Sequence, residues 1–208
     1  DIIININADV IAIQEIEDEA AFYLLADLLG SNWEGYTSNS SYYGNLGFLI
    51  NSETISIVSP PDIILDEYED IFVYRMPYVI ELTFNEKQFI VINNHFKCCG
   101  DGVISEGDYW DEEYRRLQAS SLLKEYVSEY LSEEKVIILG DLNDEITDSV
   151  SDNVFIDFLD SESFYFTDFD IAYGPSDNWS YPDWPSHIDH IIINNLLFDS
   201  FYNSNSHI

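Results

Sequence analysis

The chain has 208 residues, of which 46% are hydrophobic, and this is enough to bury one core. Its 40 acidic residues stand against 7 basic ones and give a formal net charge of −33. The longest unbroken apolar run, residues 20–26, is far shorter than the roughly 20 residues that a membrane-spanning helix needs. The composition therefore excludes an integral membrane helix and predicts a single domain over residues 1–208.

The first half of the chain is dominated by apolar runs that are typical of strands. The run at residues 9–15 predicts a strand that ends in Glu15, and a helix is predicted directly after it, from about residue 16 to residue 29. Further strands are predicted at residues 46–51, 54–58, 72–84 and 88–95. The last of these strands ends in His95, and the turn at residues 85–87 joins it to the strand before it.

The second half combines one long helix with more strands. Helical spacing of large side chains over residues 109–131 predicts a helix with one face on a sheet, and Arg115 and Arg116 leave it by other faces. The apolar run at residues 136–139 then predicts a buried strand, and a second apolar run at residues 191–193 predicts another. This order of elements predicts an α/β fold, in which two packed sheets are flanked by helices.

A loop rich in prolines and aromatic residues, residues 173–185, precedes the last predicted strand. Two interpretations stay open for it. Trp179 either packs inward as part of a cover over the core, or it forms a wall of a substrate cleft and stacks on a base or sugar.

Polar side chains lie at one end of four predicted strands, and this is the arrangement of an active site built on a rigid sheet. They are Glu15, His95, the pair Asp141 and Asn143, and Asp189. In the segment Gly140-Asp141-Leu142-Asn143, an acid and an amide two residues apart lie on one side of extended backbone. Their oxygen atoms suit a hard divalent cation and the phosphate that it holds.

Four short motifs together resemble the endonuclease/exonuclease/phosphatase superfamily, the fold group of deoxyribonuclease I. They are Ile13-Gln14-Glu15, Asn94-His95-Phe96-Lys97, Gly140-Asp141-Leu142-Asn143 and Ile188-Asp189-His190-Ile191, in the order and with the gaps of that family. The resemblance implies a four-layer α/β/β/α sandwich of two mostly antiparallel sheets. The segment Arg115-Arg116-Leu117-Gln118-Ala119 is similar to that of secreted bacterial members, which implies an extracellular or cell-surface protein.

The resemblance implies a phosphodiester hydrolase that depends on Mg²⁺ or Mn²⁺, with a structural Ca²⁺ as a further expectation. Glu15 is then the metal ligand, Asp141 orients or activates the attacking water, and Asn143 donates to the phosphate. His95 donates a hydrogen bond or a proton to the phosphate or the leaving oxygen, and Asp189 stabilises a partner histidine. The substrate contacts expected are Lys97, Arg115, Arg116 and Trp179. For the two arginines, a salt bridge with Glu112 or Glu113 is the alternative that the sequence favours. A monomer that cleaves DNA or RNA as an endonuclease is the first expectation.

Two other functions stay open. The acidity favours a phosphoesterase that acts on a phospholipid or on inositol or sugar phosphates, because lysine and arginine normally supply most of the affinity for nucleic acid. A non-catalytic binding domain on the same scaffold is the third possibility. The favoured explanation of the acidity itself is a surface adapted to salty surroundings, where screening over roughly 3 Å at 1 M salt weakens repulsion.

The chain also departs from the family pattern. The opening strand with an asparagine and the closing strand with a Ser-Asp-His motif are not found, and Met76 stands where nucleases of the family place a glutamate. We therefore expect a fragment that is incomplete at both ends and that has little activity by itself. Cys98 and Cys99 are adjacent and are the only cysteines, so they form either a strained vicinal disulfide or two free thiols.

Overall fold

The computed structural model describes residues 2–39, 44–181 and 184–204. The strands are Val10–Ile16 (β1), Trp33–Thr37 (β2), Asn45–Asn51 (β3), Ile55–Ile63 (β4), Tyr78–Phe84 (β5), Lys87–His95 (β6), Val136–Asp141 (β7), Phe164–Phe166 (β8) and Asp189–Asn194 (β9). The helices are Ile2–Ile6 (α1), Glu19–Leu29 (α2), Glu112–Tyr130 (α3), Ile156–Leu159 (α4), Phe169–Ala172 (α5) and Phe198–Tyr202 (α6). Short 3₁₀ turns lie at Asp66–Tyr68, Ser176–Asn178 and Asn195–Leu197.

The described strands form two sheets. The smaller has the order β1-β3-β2, and the larger has the order β4-β5-β6-β7-β9-β8. All of these pairs are antiparallel except β6 with β7. The parallel pair is the one that is joined through the long helix α3, as a crossover connection requires.

The core consists of three apolar clusters, and these show the layers of the fold. Between the two sheets lie Leu46, Phe48, Ile50, Ile80 and Leu82 with their neighbours. The outer face of the small sheet packs on α2 through Phe22 and Ala26. The outer face of the large sheet packs on α3, whose Ala119, Leu123 and Val127 are buried there. The predicted α/β/β/α sandwich is thereby confirmed.

The first turns of both long helices are stabilised by an aspartate that precedes each helix in the sequence. Asp18 caps α2, since its carboxylate accepts a hydrogen bond from the backbone N–H of Ala21 at 3.0 Å. Asp111 caps α3 in the same way, through the N–H of Tyr114 at 2.7 Å. Among the described residues, none of the helices combines the length and the apolar character that crossing a bilayer requires.

The strand predicted at residues 72–84 is wrong in its first half. Strand β5 begins only at Tyr78, after Pro77, which has no N–H to give to a sheet. Before it, Val73 and Tyr74 have positive φ angles of 51° and 59°, so the chain turns here. The turn directs Phe72 into the core, and it leaves Tyr74, which the alternating pattern assigned to the core, exposed.

The predicted helix at residues 109–131 is confirmed in position, and part of its predicted face packs on the core through Leu117, Tyr126 and Val127. Trp110 lies before the first turn of α3 and is exposed, as is Tyr130 near its end. Charged residues of α3 are buried as well, among them Glu113, and also Arg115 and Arg116, whose predicted place on other faces is therefore wrong. Their burial depends mainly on hydrogen bonds and ion pairs with other segments of the chain, and the periodicity of apolar residues does not indicate such contacts.

Candidate active site

Strand pairing places three of the predicted site residues in one row, at the same end of the neighbouring strands β6, β7 and β9 of the large sheet. In the parallel pair of β6 and β7, His95 is the partner of Asp141, and in the antiparallel pair of β7 and β9, Asp141 is the partner of Asp189. Gly140, just before this row, has a φ of 138°, and a side chain there would overlap the carbonyl oxygen of Asn94. The glycine therefore lets β6 and β7 approach closely where the site begins.

Glu15 reaches the same place from the small sheet. It lies at an irregularity of β1, where the pairing with β3 shifts between Ile13 and Ile16, and its φ is 57°. Gly44 packs against this backbone, because a Cβ at position 44 would lie 2.9 Å from the Cα of Glu15. Such irregularities redirect a side chain. The Glu15 side chain is 72% exposed.

Asn93 ties the two sheets together beside Glu15. Its side-chain oxygen accepts a hydrogen bond from Gln14 at 2.6 Å, and its amide nitrogen donates to the carbonyl oxygens of Ile13 at 3.0 Å and Gly47 at 2.9 Å. Asn93 is fully buried. The position of the β1 irregularity is therefore fixed relative to β6, the strand that ends in His95.

The three side chains converge. Nε2 of His95 lies 3.6 Å from Oδ2 of Asp141 and 3.9 Å from Oε1 of Glu15. These distances are too long for direct hydrogen bonds, and they leave the oxygen atoms free for another group. The His95 side chain is only 2% exposed, so the site has a buried floor and an open side at Glu15.

His95 is a neutral imidazole at neutral pH. Burial, together with the nearby charge of Arg75, lowers the pKa of His95 to about 4. Its contacts with Glu15 and Asp141 are consequently polar contacts and not ion pairs. A neutral ring donates a hydrogen bond through its N–H, but it holds no extra proton for a leaving oxygen, so the hydrogen-bond role expected for His95 fits better than the proton-donor role.

Asp141 is surrounded by negative charge. Burial, followed by the charges of Asp189 and Glu15, raises the pKa of Asp141 to about 6, although the N–H of Asn143 and the charge of Arg75 oppose the change. Three carboxylates that repel one another in this way form an oxygen-rich donor set, which suits a hard divalent cation. The residues present therefore fit the Mg²⁺ or Mn²⁺ that the resemblance implies.

Asn143 has a φ of 55°, a conformation that asparagine tolerates better than most residues. Its backbone N–H donates to Oδ1 of Asp141 at 3.1 Å, and its side-chain nitrogen donates to the carbonyl oxygen of Phe96 at 3.2 Å. Because the amide nitrogen carries two hydrogens, one remains for a phosphate.

Asp189 is exposed and is held by the loop that precedes it. The hydroxyl of Ser180 accepts the backbone N–H groups of Ile188 and Asp189, both at 3.1 Å. Trp179, which precedes Ser180 in the chain, is half-buried and donates from its indole nitrogen to the carbonyl oxygen of Ile171 at 3.1 Å. The indole thus anchors the loop, while two of the residues assigned to this loop, Pro182 and Asp183, lie outside the described residues.

The basic residues expected to bind substrate make contacts within the protein. Lys97 donates to the carbonyl oxygen of Cys98 at 2.7 Å and lies 3.7 Å from Glu112. Arg115 is buried, with its guanidinium carbon 4.6 Å from the centre of the Tyr109 ring. Arg116 is buried as well, and it pairs with Asp144 at 2.7 Å.

Two residues in and around the site were not singled out from the sequence. The first is Arg75, which is buried and donates to the carbonyl oxygen of Phe96 at 2.7 Å. Its guanidinium also contacts the ring nitrogens of His95. The second residue is Asn93. It directly follows the apolar run of β6, and a polar residue at such a position is a sequence signal that could have identified it. Cys98 and Cys99 are free thiols whose Sγ atoms are 2.9 Å apart.

The sequence matches the profile of the Endonuclease/Exonuclease/phosphatase family over residues 1–204. No curated protein matches it significantly. Among solved structures, D. rerio TDP2 in complex with a single-strand DNA product superposes with a TM-score of 0.66 at 13% identity, over 93% of this chain and 73% of that chain.

Two further structures are similar. The human nocturnin catalytic domain with a bound sulfate anion has a TM-score of 0.61 at 16% identity, over 93% of this chain and 71% of that chain. An endonuclease/exonuclease/phosphatase family protein from Bacteroides thetaiotaomicron has a TM-score of 0.64 at 13% identity, over 93% of this chain and 72% of that chain. At such identities the likeness concerns the fold alone.

Proposed function

The chain belongs to the endonuclease/exonuclease/phosphatase family, and from this premise we propose that it is a divalent-metal-dependent phosphodiester hydrolase. Members of the family are hydrolases that act on phosphoester bonds. The observation that supports the proposal most strongly is the convergence of Glu15, His95 and Asp141 from two different sheets, with the imidazole less than 4 Å from both carboxylates.

Each residue has a role that follows from its surroundings. Glu15 would hold a Mg²⁺ or Mn²⁺ ion, with Asp141 and Asp189 close by, and the bound ion would supply polarisation of a phosphate oxygen. Asp141, whose pKa is about 6, is ionised at neutral pH and orients or deprotonates the attacking water. Asn143 and the neutral His95 donate hydrogen bonds to the phosphate as its negative charge grows.

Nucleic acid is the substrate that we propose first, since a solved relative of the same fold is a complex with a single-strand DNA product. The charge distribution restricts how it binds. All three arginines are buried, and Lys97 lies beside Glu112, so the described surface near the site offers little positive charge to a long duplex. A single strand or a strand end, held mainly through the bound cation, fits this surface better.

The same observation favours a second candidate, a small phosphoester such as an inositol phosphate or a phospholipid head group. Such a substrate needs only one phosphate contact and avoids the repulsion of a polyanion by a chain of net charge −33.

The test is a side-by-side assay of the protein as its gene encodes it, with Mg²⁺, on single-stranded DNA, duplex DNA, RNA, sphingomyelin and inositol phosphates. We expect Glu15→Gln and Asp141→Asn to lower kcat/KM on the best substrate at least about 100-fold. Glu17→Gln, a change of an exposed carboxylate two residues from Glu15, is the matched control and should keep wild-type activity.

Three outcomes decide between the candidates. Cleavage of DNA or RNA supports the nuclease if the logarithm of the affinity falls with the logarithm of the salt concentration as expected for contact with about one or two phosphates. Turnover of inositol phosphates or sphingomyelin without cleavage of nucleic acid supports the second candidate. Turnover that Glu15→Gln and Glu17→Gln leave equal, or no turnover on any substrate, contradicts the proposal and leaves the non-catalytic binding domain.

A further inference from the structure

A second group of ionisable side chains lies beside the candidate active site. Asp168, His187 and His190 are 4%, 6% and 1% exposed, and they come from three separate segments: the residue before α5, the loop before β9, and β9 itself. Their ligand-type atoms all lie within 4.8 Å of one another. None of them has a role in the hydrolysis proposed above.

The backbone fixes which nitrogen of His190 is protonated. Its Nε2 lies 2.8 Å from the carbonyl oxygen of Asp144, which only accepts hydrogen bonds, so Nε2 bears a hydrogen. Nδ1 faces Oδ2 of Asp168 at 2.6 Å. A metal-ligating histidine usually donates its other N–H to a backbone carbonyl or a carboxylate, and the contact of Nε2 with Asp144 supplies such a partner, so Nδ1 is the nitrogen that His190 offers to an ion.

The other two residues are oriented towards the same point. Oδ1 of Asp168 accepts the backbone N–H of Ile191 at 3.0 Å, so Oδ2 is the oxygen that faces both histidines. Nε2 of His187 lies 2.9 Å from this Oδ2. Its Nδ1 is buried and has no hydrogen-bond partner among the described residues, so the ring's hydrogen-bond contact is made through Nε2, the nitrogen that faces Asp168.

We propose that Asp168, His187 and His190 bind a transition-metal dication of the Zn²⁺ class. Two imidazole nitrogens and one carboxylate oxygen are donors that such ions prefer, whereas Mg²⁺ and Ca²⁺ take oxygen donors. Ligand atoms around a tetrahedral ion with bonds of about 2.0–2.1 Å are about 3.3 Å apart, so the two His–Asp contacts need to open by less than 1 Å.

A path to the site exists. All three residues line one cleft of about 460 Å³, which lies between β1 and the start of β9 and also includes Asn178 and Ser180. A metal there keeps its fourth position for water from the cleft, since the described residues supply three donors.

The metal would position Asp189. This carboxylate lies between His187 and His190 in the chain, and its strand begins at the loop that His187 belongs to. Clamping both histidines to Asp168 joins that loop to β9 and so fixes where Asp189 faces Asp141. The residues of the cluster are thus positioning residues, and their first readout is metal binding and stability, which do not depend on the hydrolytic activity.

The test uses Co²⁺ as a spectroscopic probe in the Glu15→Gln protein, in which the ion site at Glu15 is weakened. We expect one Co²⁺ per chain with the intense visible absorption of tetrahedral coordination, displaced by Zn²⁺ and not by Mg²⁺. His187→Gln, added to Glu15→Gln, should weaken this binding by more than the roughly 10–100-fold that loss of an outer-shell partner costs. Zn²⁺ should raise the Tm of the Glu15→Gln protein and not that of the double variant.

NMR of the Glu15→Gln protein keeps the proposal testable even where the double variant does not fold. Paramagnetic Co²⁺ should broaden the ring signals of His187 and His190 at the first equivalent, and that of His95 less. Co²⁺ binding that His187→Gln leaves unchanged, a purely octahedral spectrum, or broadening of His95 before the other two would overturn the proposal.

Discussion

One terminal nitrogen of Arg75 lies 3.0 Å from Nε2 and 3.1 Å from Nδ1 of His95, and both side chains are buried. A fixed positive charge at this distance opposes protonation of the ring. The family pattern suggests a carboxylate beside this histidine, but Met76 occupies that position in the chain. The site therefore has a neutral histidine held beside a cation. Its protonation state follows first from burial and then from a contact between residues 20 positions apart in the chain.

The first prediction concerns this pair. Arg75→Met should raise the pKa of His95 from about 4 towards its ordinary value of 6.5, because one of the two causes that lower it is removed while burial remains. The measurement is an NMR titration of the His95 ring in metal-free protein. Arg115→Met removes an equal charge that faces Tyr109 and should leave the His95 titration as in wild type. A pKa of about 4 in both variants would show that burial acts alone.

The second prediction compares two glycines. Gly140 and Gly107 both have positive φ, 138° and 84°, but a Cβ overlaps the Asn94 carbonyl oxygen only at position 140, while nothing lies within 4 Å of it at position 107. Gly107→Ala should cost about 1 kcal/mol of unfolding free energy through backbone strain. Gly140→Ala adds overpacking between β6 and β7 and should cost about 3 kcal/mol or more.

Urea denaturation of the two glycine variants measures both costs. Equal losses would mean that the close approach of β6 and β7 at Gly140 is not a constraint. Where both variants stay folded, only Gly140→Ala should also impair hydrolysis, since it displaces the neighbouring Asp141.

The third prediction separates two adjacent arginines. Arg116 pairs with Asp144 at 2.7 Å and with Glu113 at 3.3 Å, and it also donates to the carbonyl oxygens of Lys97 and Cys99. Arg116→Met leaves two buried carboxylates without their cationic partner and should cost about 3–5 kcal/mol. Arg115→Met, which removes two cation–π contacts, with Tyr109 and Trp110, and one hydrogen bond to the carbonyl oxygen of Tyr109, should cost about 1–2 kcal/mol.

Thermal and urea unfolding compare the two arginine variants. The contrast also tests substrate binding. If the Arg115→Met variant raises KM for a phosphodiester with kcat and stability near wild type, Arg115 contacts substrate as the sequence suggests, and its packing on the aromatic rings is the lesser part of its role.

The strands that form the site were predictable because their signal is local. The apolar runs of β6, β7 and β9 each lie within three residues of a polar site residue, so His95 and Asp141 were placed at the correct strand ends. Asp189 was likewise placed at the start of β9. Proximity of these ends then follows from how neighbouring strands pair.

What the sequence did not indicate depends on pairs of segments that are distant in the chain. The alternation of apolar and polar residues over 72–84 predicts one continuous strand. In the structure a turn precedes β5, and this turn buries Arg75. Trp110 has helical spacing but stays outside α3, where its ring contacts Arg115. Asp168 gave no local signal at all, since its significance arises only when β8 and β9 pair and bring it to His187 and His190. Charged groups inside a core are specified by such contacts and not by periodicity.

The last prediction concerns pH and Asp148. Burial, and then the hydrogen bond and charge of Asp144, raise the pKa of Asp148 from 3.8 to about 7. The folded protein therefore binds more protons at this group than the unfolded chain does. Its contribution to stability is fully present below about pH 4 and is lost as the pH rises to about 7 and above. Wild-type protein at pH 8 consequently carries the full cost of a second carboxylate beside Asp144.

Asp148→Asn replaces that carboxylate by an amide, which donates to Asp144 at any pH. The variant should match wild type near pH 4 and exceed it at pH 8 by about 1–2 kcal/mol, a value reduced for the solvent screening of a half-exposed group. Urea midpoints at pH 4, 6 and 8 measure the difference. Asp160→Asn, an exposed site with the same change of charge, controls for the net charge of −33. A gain at pH 8 no larger than that of Asp160→Asn would contradict a shared proton between Asp144 and Asp148.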